Sequence, residues 1–453
     1  MPPPGASRLR HFAFAAALIA VNLIAFRHAI GWDVFYNTDT DVMLRVAKAS
    51  GWHEAVGWIT GPWIGAKLCL YYRPTSSWLI WGEWALFQWR AVGYHWVGMA
   101  LHLGAALLFW RIAAMLLGGE WLGAVAALIF SLRPRNVRTL AVLTAQPDLV
   151  AAAFMFLSLA LLLAYLNWHR ATPSLFPQHG RWQAVALVAG SLVAALLSLG
   201  GKEMALSLPV LASLVILFDL GTGTVPIEGS PGLSRRPRRG LSPRGKTWLL
   251  GTYWLTFAAF MGWRTFAMSG LGYIPKGWRD PAQAVETFAR SAGLYFTYPF
   301  ASAVVAREWW PLAMFGVVAV YVIAGRRWPV LRKERVLLYG AAPGFIALAL
   351  GAAEVLYGDW AGILTAYPWQ LLGLMMAYSA AVALVIWRDR RAALFVALWG
   401  LFAFTPASYR VYDWPGKFFY IPQTFWAFGG ALLLEAIAAI GTKRLLAAGP
   451  RGA

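Results

Sequence analysis

Acidic residues are scarce in this chain: 19 Asp and Glu among 453 residues, against 39 Lys and Arg, so that only 13% of the sequence is charged. Soluble domains carry about a quarter of their residues as charges, and the shortage excludes an ordinary soluble protein. Cysteine is scarcer still. Cys69 is the single thiol, which rules out an intrachain disulfide and a multi-thiolate metal site. Strand-like alternation and tandem repeats are absent as well, so neither a β-barrel nor a repeat array is expected. What the chain has in quantity is apolar: 60% hydrophobic residues, 26 tryptophans and a mean hydropathy of +0.57.

Apolar runs recur near residues 11–30, 93–112, 121–135, 144–166, 183–200, 203–219, 247–267, 311–325, 336–356, 367–387, 391–408 and 419–440. Many approach the ~20 residues that cross a bilayer as a helix. They predict an all-α polytopic membrane protein, a single integral bundle of about twelve transmembrane helices. Arg8 and Arg10 precede the first run and place the N-terminus in the cytoplasm. No small-x-small cleavage site follows that run, so it reads as a retained helix rather than a signal peptide.

Residues 220–246, with the core "SRRPRRGLSPRGK", form a Pro/Gly/Arg loop without an apolar face, the strongest cytoplasmic marker in the chain. Alternating sides then puts "GRRW", "LRKER", "WRDRR" and "TKR" in the cytoplasm too, and one miscounted helix would throw the later clusters outside. The net charge of +20 is thus an orientation signal, and no nucleic-acid partner is expected.

The expected layout is a cytoplasmic N-terminus and first span (1–30), an external loop (31–90), spans two to six (91–219), the basic loop (220–246), later spans (247–441) with external loops 268–310 and 408–418, and a cytoplasmic tail (442–453). Loop 31–90 is rich in Trp and Gly, with short amphipathic pieces suited to lying in the membrane interface.

Several polar residues collect on the external side. Asp39 and Asp41, in "FYNTDTDVMLR", directly follow the first helix. Arg133, Arg135 and Arg138, in the external segment 134–145 and at its edge, defy the orientation bias; an anionic group such as a lipid phosphate, held by bidentate contacts, or ordinary phospholipid headgroups would account for them. Lys202 and Glu203 adjoin at a tight turn, where an ion pair at a helix end is the alternative to a functional role. Arg410, Asp413 and Lys417 fall in the last external loop. Carboxylates and cations on one side compose an active site rather than a pore lining.

The ordered series "YYRPTSSW", "VGYHWVGMALHLGAALLFW", "AALIFSLRPRNVRTLAVLTAQPDLVAAAFMFLSLALLL" and "SLGGKEMALSLPVLASLVILFDL" resembles the membrane part of the GT-C superfamily of polyprenyl-phosphate-sugar glycosyltransferases. The likeness is greatest to the O-mannosyltransferases that carry tetratricopeptide repeats and to their bacterial relatives, and it spans most of residues 30 to 440. The aromatic-Arg-Pro element corresponds to Tyr72, Arg73 and Pro74. The Gly-Tyr-His element with a later His matches Gly93, Tyr94, His95 and His102. Pro134 and Asp148 match the next element, Gly201, Lys202 and Glu203 its Ser-Lys-Glu, and Tyr420 and Pro422 the C-terminal stretch, where Lys417 replaces Arg. "DTD" looks like the family's acids in the first external loop.

Two departures stand out. Arg133 and Arg138 occupy positions where the family has His and an acid, and the chain ends at residue 453 without tetratricopeptide repeats.

The resemblance implies a GT-C-like bundle in a membrane, the bacterial inner membrane by analogy, with the active site facing the periplasm or exterior. A hexosyl group, by analogy a mannosyl group, would pass from a polyprenyl-phosphate donor to a protein hydroxyl or a cell-envelope glycan or lipid. The acceptor hydroxyl needs a base, for which Asp39 or Asp41 is the candidate, Asp39 preferred from position. Transfer through a single base inverts the anomeric carbon. The lipid-phosphate leaving group needs fixed cations, for which Arg73, Arg138, Lys202, Arg410 and Lys417 are candidates.

Tyr94, His95, His102, Asp148, Glu203 and Tyr420 are further site candidates. His95 and His102, seven apart, share a helix face, either as a packed hydrogen-bonded pair or in contact with donor or acceptor. Asp148 begins a span, where a carboxylate also favours the positive helix end. Trp81, Trp84 and Trp89 fit both an interfacial belt and sugar stacking. The sequence names no cofactor: a divalent cation such as magnesium or manganese is compatible with the acids, and nothing points to zinc. A lipid-linked-sugar transporter or flippase, and a catalytically degenerate member of the same fold, are the competing expectations.

Overall fold

Helix boundaries in this chain fall where residues start or stop the backbone hydrogen-bond ladder. The structure, a computed structural model, describes residues 4–32, 38–65, 71–133, 136–171, 181–218, 241–269, 384–386, 389–407 and 420–447. Arg410, Lys417, the apolar runs at 311–325 and 336–356, and all or nearly all of 220–246, 268–310, 367–387 and 408–418 lie outside the described residues.

Among the described residues the structure is helical and holds no strand. The helices are α1 (Pro4–Ile30), α2 (Thr38–Ala49), α3 (Trp52–Gly57), α4 (Pro74–Phe87), α5 (Ala91–Leu117), α6 (Glu120–Ser131), α7 (Asn136–Ala141), α8 (Gln146–Ala171), α9 (Arg181–Leu199), α10 (Leu208–Phe218), α11 (Pro243–Ala267), α12 (Arg390–Phe404) and α13 (Thr424–Ala447). Pro74 and Pro243 open α4 and α11 at the first helical turn, where their missing N–H removes no bond. Ser242 caps α11 by accepting from the Gly245 N–H, and Asp389 caps α12 by accepting from the amides of Arg391 and Ala392. Gly118, at φ +75°, ends α5 in the left-handed conformation that only glycine adopts without strain.

Among the described residues four segments are long and apolar enough to cross a membrane: His11–Ile30, Ala91–Leu117, Leu143–His169 and Trp182–Leu199. At 1.5 Å per residue a 27-residue helix reaches about 40 Å, more than the hydrocarbon thickness. These helices mark a membrane-embedded protein. The chain divides into two units, Met1–Ile274 with Gly416–Phe428, and Pro275–Pro415 with Gly429–Ala453.

In the first unit α8 packs along α9, and α5 lies against both α6 and α8, with α1 beside α5 and α10 beside α11. Phe109, Phe130, Phe156 and Phe428 meet at ring-centroid distances of 5.0–5.6 Å. Ser191 donates to the Ser158 carbonyl and shares a hydrogen bond with the Tyr253 hydroxyl, joining α8, α9 and α11 by polar contacts that lipid cannot offer.

Among the described residues the expected first loop contains three α-helices, α2, α3 and α4, as its amphipathic pieces suggest. In α2 the buried residues Thr40, Met43, Leu44 and Ala47 recur at helical spacing, while Asp41, Val42, Arg45 and Lys48 are exposed. That apolar stripe joins Ile64, Ile80, Tyr94 and Leu143 in one cluster, with Trp63 and Trp84 packed against it. So α2 is seated on α4 and on the turn Trp63–Gly65, beside the start of α5.

The segment between α6 and α8 departs from expectation. Residues 134–145 read as an external loop, yet Asn136 and every residue from Thr139 to Ala145 are buried. The chain leaves α6 at Ser131 and enters the bundle as the short helix α7 and one 3₁₀ turn, Leu143–Ala145, before α8 begins. Non-helical backbone inside a membrane protein persists only where protein groups satisfy it, and here they do. Asn136 Nδ2 donates to the Phe130 and Ser131 carbonyls at 3.0 and 2.9 Å, and His102 Nε2 reaches the Ser131 carbonyl at 3.2 Å. His95 Nδ1 lies 3.2 Å from the Leu140 carbonyl.

Candidate active site

The site assembles around one tight turn. After α9 ends, Gly200 and Gly201 carry the chain against α4 and α8 so closely that side chains do not fit. A Cβ on Gly200 would lie 2.5 Å from Thr75 Oγ1, and one on Gly201 would lie 2.9 Å from the Ala151 backbone nitrogen. The two glycine carbonyls accept from Thr75 N–H (3.0 Å) and Ser76 Oγ (2.8 Å), which ties the turn to the first residues of α4. Thus "YYRPTSSW" and "SLGGKE", about 130 residues apart in sequence, form one structural unit.

Lys202 and Glu203 follow, and each forms an ion pair with a residue of another element. Lys202 has an extended backbone, φ −161° and ψ 156°, before Glu203 opens a 3₁₀ turn. Successive side chains of extended backbone point to opposite sides, so each finds a different partner. Lys202 Nζ meets Asp148 Oδ2 at 2.5 Å, and Arg73 donates to both Glu203 oxygens, Nη2 to Oε2 at 2.6 Å and Nε to Oε1 at 3.2 Å. The Arg73 guanidinium also lies over the rings of Tyr71 and Trp63, 4.4 and 4.8 Å from their centroids. A planar guanidinium suits this combined fork and stack, whereas a lysine would not reproduce it. The side chains of Arg73, Lys202 and Asp148 are almost fully buried. Two cations and two carboxylates balance in charge, so burial is offset by short contacts rather than by solvent.

His102 centres a second hydrogen-bonded network in the bundle. Its Nε2 faces two acceptors, Asn22 Oδ1 and the Ser131 carbonyl, both at 3.2 Å, and therefore carries the proton. Nδ1 then accepts from the Tyr420 hydroxyl at 2.6 Å. Asn22 in turn donates to the Leu18 carbonyl and to Ser131 Oγ, and Gln423 Nε2 donates to Asn136 Oδ1. A hydrogen-bonded chain thus runs from α1 through α5 to the segment before α13. Tyr94, the neighbour of His95, donates to the Gln88 carbonyl at 2.8 Å and lies in the apolar cluster under α2.

The two first-loop aspartates sit elsewhere on the same scaffold. Both occupy the first turn of α2, where carboxylates favour the positive helix end. At about 100° per residue they project to opposite flanks of the buried stripe, with Thr40 between them. Asp41 accepts from Arg45 Nε at 2.8 Å on the exposed side. Asp39 is exposed. Trp63 connects α2 to the charged cluster, because it packs against the α2 stripe and lies under the Arg73 guanidinium. Arg138, in α7, is exposed, and Arg133 is half-buried.

Of the sequence candidates, Arg73, Lys202, Glu203 and Asp148 form the charged cluster, and His102 and Tyr420 meet beside α1. His95 is engaged with the re-entrant segment. Trp81 donates to the Ser50 carbonyl, while Trp84 and Trp89 meet edge to face at 5.1 Å and line an open groove of about 440 Å³ with Lys48, Ala85 and Gln88. Among the described residues no group of three His, Cys, Asp or Glu side chains is placed to hold a metal ion. Asn22, Asn136, Glu83 and Gln146 escaped the sequence reading; a lone amide or acid inside an apolar window is the signal that marks each of them. The chain matches no protein-family model, no curated protein and no solved structure.

Proposed function

We propose that this protein is a multi-pass membrane glycosyltransferase of GT-C type that moves a sugar from a polyprenyl-phosphate donor to an acceptor hydroxyl at the non-cytoplasmic face. One observation carries the proposal. Residues from three separated sequence elements, Arg73, Asp148 and the Lys202–Glu203 pair, converge in one buried cluster at the bundle end where α4 begins, and the acidic first turn of α2 belongs to a helix seated on that same α4. An isolated ion pair is ordinary; this convergence follows the order of the motifs that suggested the family.

In the proposed reaction an α2 aspartate accepts the proton of the acceptor hydroxyl as its oxygen bonds to the anomeric carbon, while the bond from that carbon to the phosphate oxygen breaks. The electron pair leaves with the polyprenyl phosphate. Arg73 and Lys202 are held in place by their carboxylate partners before any donor arrives, and the leaving phosphate is stabilised as it takes up their N–H donors in place of Glu203 and Asp148. The bundle of about twelve spans and the periplasmic orientation belong to the same proposal.

The test is to incubate the purified protein with a panel of polyprenyl-phosphate sugars and acceptors and to measure release of polyprenyl phosphate. Turnover is expected with at least one donor and should vanish in Asp39→Asn/Asp41→Asn while the unfolding temperature is kept. Failure with every donor would favour a second reading, a non-catalytic lipid-sugar binder. The neutral pairing of both buried cations and the exposed Asp41–Arg45 contact are what favour it.

A further inference from the structure

Glu83 is a buried acid that the proposed chemistry does not use. It lies in α4, ten residues beyond Arg73, and is 2% exposed. Its Oε1 accepts from Gln146 Nε2 at 2.5 Å, and its Oε2 has no partner. Gln146 opens α8, is 3% exposed, and its Oε1 is also without a partner. Two buried acceptors are thus orphaned on two side chains that already touch. An ionised carboxylate cannot relieve this, because it has no hydrogen to donate. One proton relieves both atoms.

We infer that Glu83 is a neutral carboxylic acid in a cyclic pair with the Gln146 carboxamide, Gln146 Nε2–H donating to Glu83 Oε1 and Glu83 Oε2–H donating to Gln146 Oε1, and that this pair positions α4 against the start of α8. Arg73 immediately precedes α4 and Asp148 lies in the first turn of α8, so Glu83 acts on the charged cluster through its helix and is a positioning residue. The inference does not depend on the transferase chemistry.

The surroundings agree. Burial pushes the Glu83 carboxyl up to about 8, with the Gln146 hydrogen bond working against that rise. From α5, Tyr94 is the titratable side chain that interacts with it. From α8 come Gln146 itself and Asp148, the latter tied to Lys202. The α2 stripe seated on α4 is apolar, and Asp39, Asp41, Arg45 and Lys48 are exposed, Lys48 lining the groove beside Trp84 and Ala85; α3 offers only the exposed His53 and Glu54; the turn Trp63–Gly65 has no titratable group. No cation on these elements is hydrogen-bonded to Glu83 to favour its charged form.

The sign follows. A carboxyl raised above its unfolded value of about 4.3 stabilises the fold fully below that pH and loses the contribution as pH climbs to the folded value. Glu83→Gln keeps the cyclic geometry as an amide–amide pair and removes the titration. The wild type should therefore lose stability relative to Glu83→Gln between about pH 4.3 and 8 and stay level above.

Infrared spectroscopy of the full chain in lipid nanodiscs tests this. A protonated-carboxyl carbonyl band is expected at pH 6 in the wild type, absent from Glu83→Gln, and fading as pH is raised through about 8. If Glu83→Gln does not fold, Gln146→Leu serves: losing both hydrogen bonds should shift the band to higher frequency. No such band at pH 6, a band that does not move in Gln146→Leu, or a stability difference between wild type and Glu83→Gln that ignores pH would overturn the inference.

Discussion

At the scale of single residues the charged cluster behaves as two buried ion pairs, and buried pairs are asymmetric in their response to mutation. Removing one partner strands a charge, whereas replacing both with apolar groups is often harmless. Lys202→Met should therefore lower stability by about 3–5 kcal/mol, measured by thermal unfolding in detergent, while Lys202→Met/Asp148→Leu should recover most of that loss. Arg73→Lys should not be tolerated as conservative, because it gives up the bidentate contact with Glu203 and the stack between Tyr71 and Trp63. Asp41→Asn is the contrast: its partner Arg45 is exposed, so unfolding should shift by less than about 1 kcal/mol. Composition pointed to most of these residues, since ionisable groups in an apolar chain are few. It did not give their partners. Lys202 bonds to Asp148 and Glu203 to Arg73 because the backbone at that turn is extended, a fact decided by the docking of the two glycines onto α4 and α8.

Among the elements, long apolar stretches were legible and breaks were not. Hydropathy located α5, α8 and α9 within a few residues, since a membrane-length helix needs little more than sustained apolarity. It could not show that Asn136 and residues 139–145 are buried. Val142, Leu143 and Ala145 read as apolar chain in either place, and the donors that make burial possible, His95, His102 and Asn136, come from distant sequence or from the loop's own start. Replacing Asn136 by Leu leaves the Phe130 carbonyl without that donor, and stability should fall by about 1–3 kcal/mol. The glycine turn gives a sharper comparison. Gly201→Ala places a methyl group 2.9 Å from the Ala151 nitrogen and should disrupt the cluster, seen as lost stability and lost turnover together. Gly251→Ala, in α11 with nothing within 4 Å of its new Cβ, should be neutral or stabilising by up to about 1 kcal/mol.

For the whole molecule, the proposed orientation makes a prediction that needs no activity. In a Cys69→Ser background, Val42→Cys lies on the exposed flank of α2, and Arg244→Cys in the first turn of α11, which the proposed orientation assigns to the cytoplasmic side. A membrane-impermeant maleimide applied to intact cells should label the first and reach the second only after permeabilisation. The opposite pattern would place the α2 acids in the cytoplasm and remove the basis for an external transferase.

The His102–Tyr420 bond, between residues 318 apart in sequence, has a bearing on biogenesis. A ribosome delivering this polypeptide inserts α1, α5 and α6 long before the tyrosine emerges, and until then the imidazole has an open nitrogen in an apolar interior. Gln423, which completes the Asn136 amide, arrives equally late. A nascent bundle must therefore tolerate an unfinished polar seam for most of its synthesis, and chains truncated ahead of residue 420 should be the ones that quality-control proteases remove.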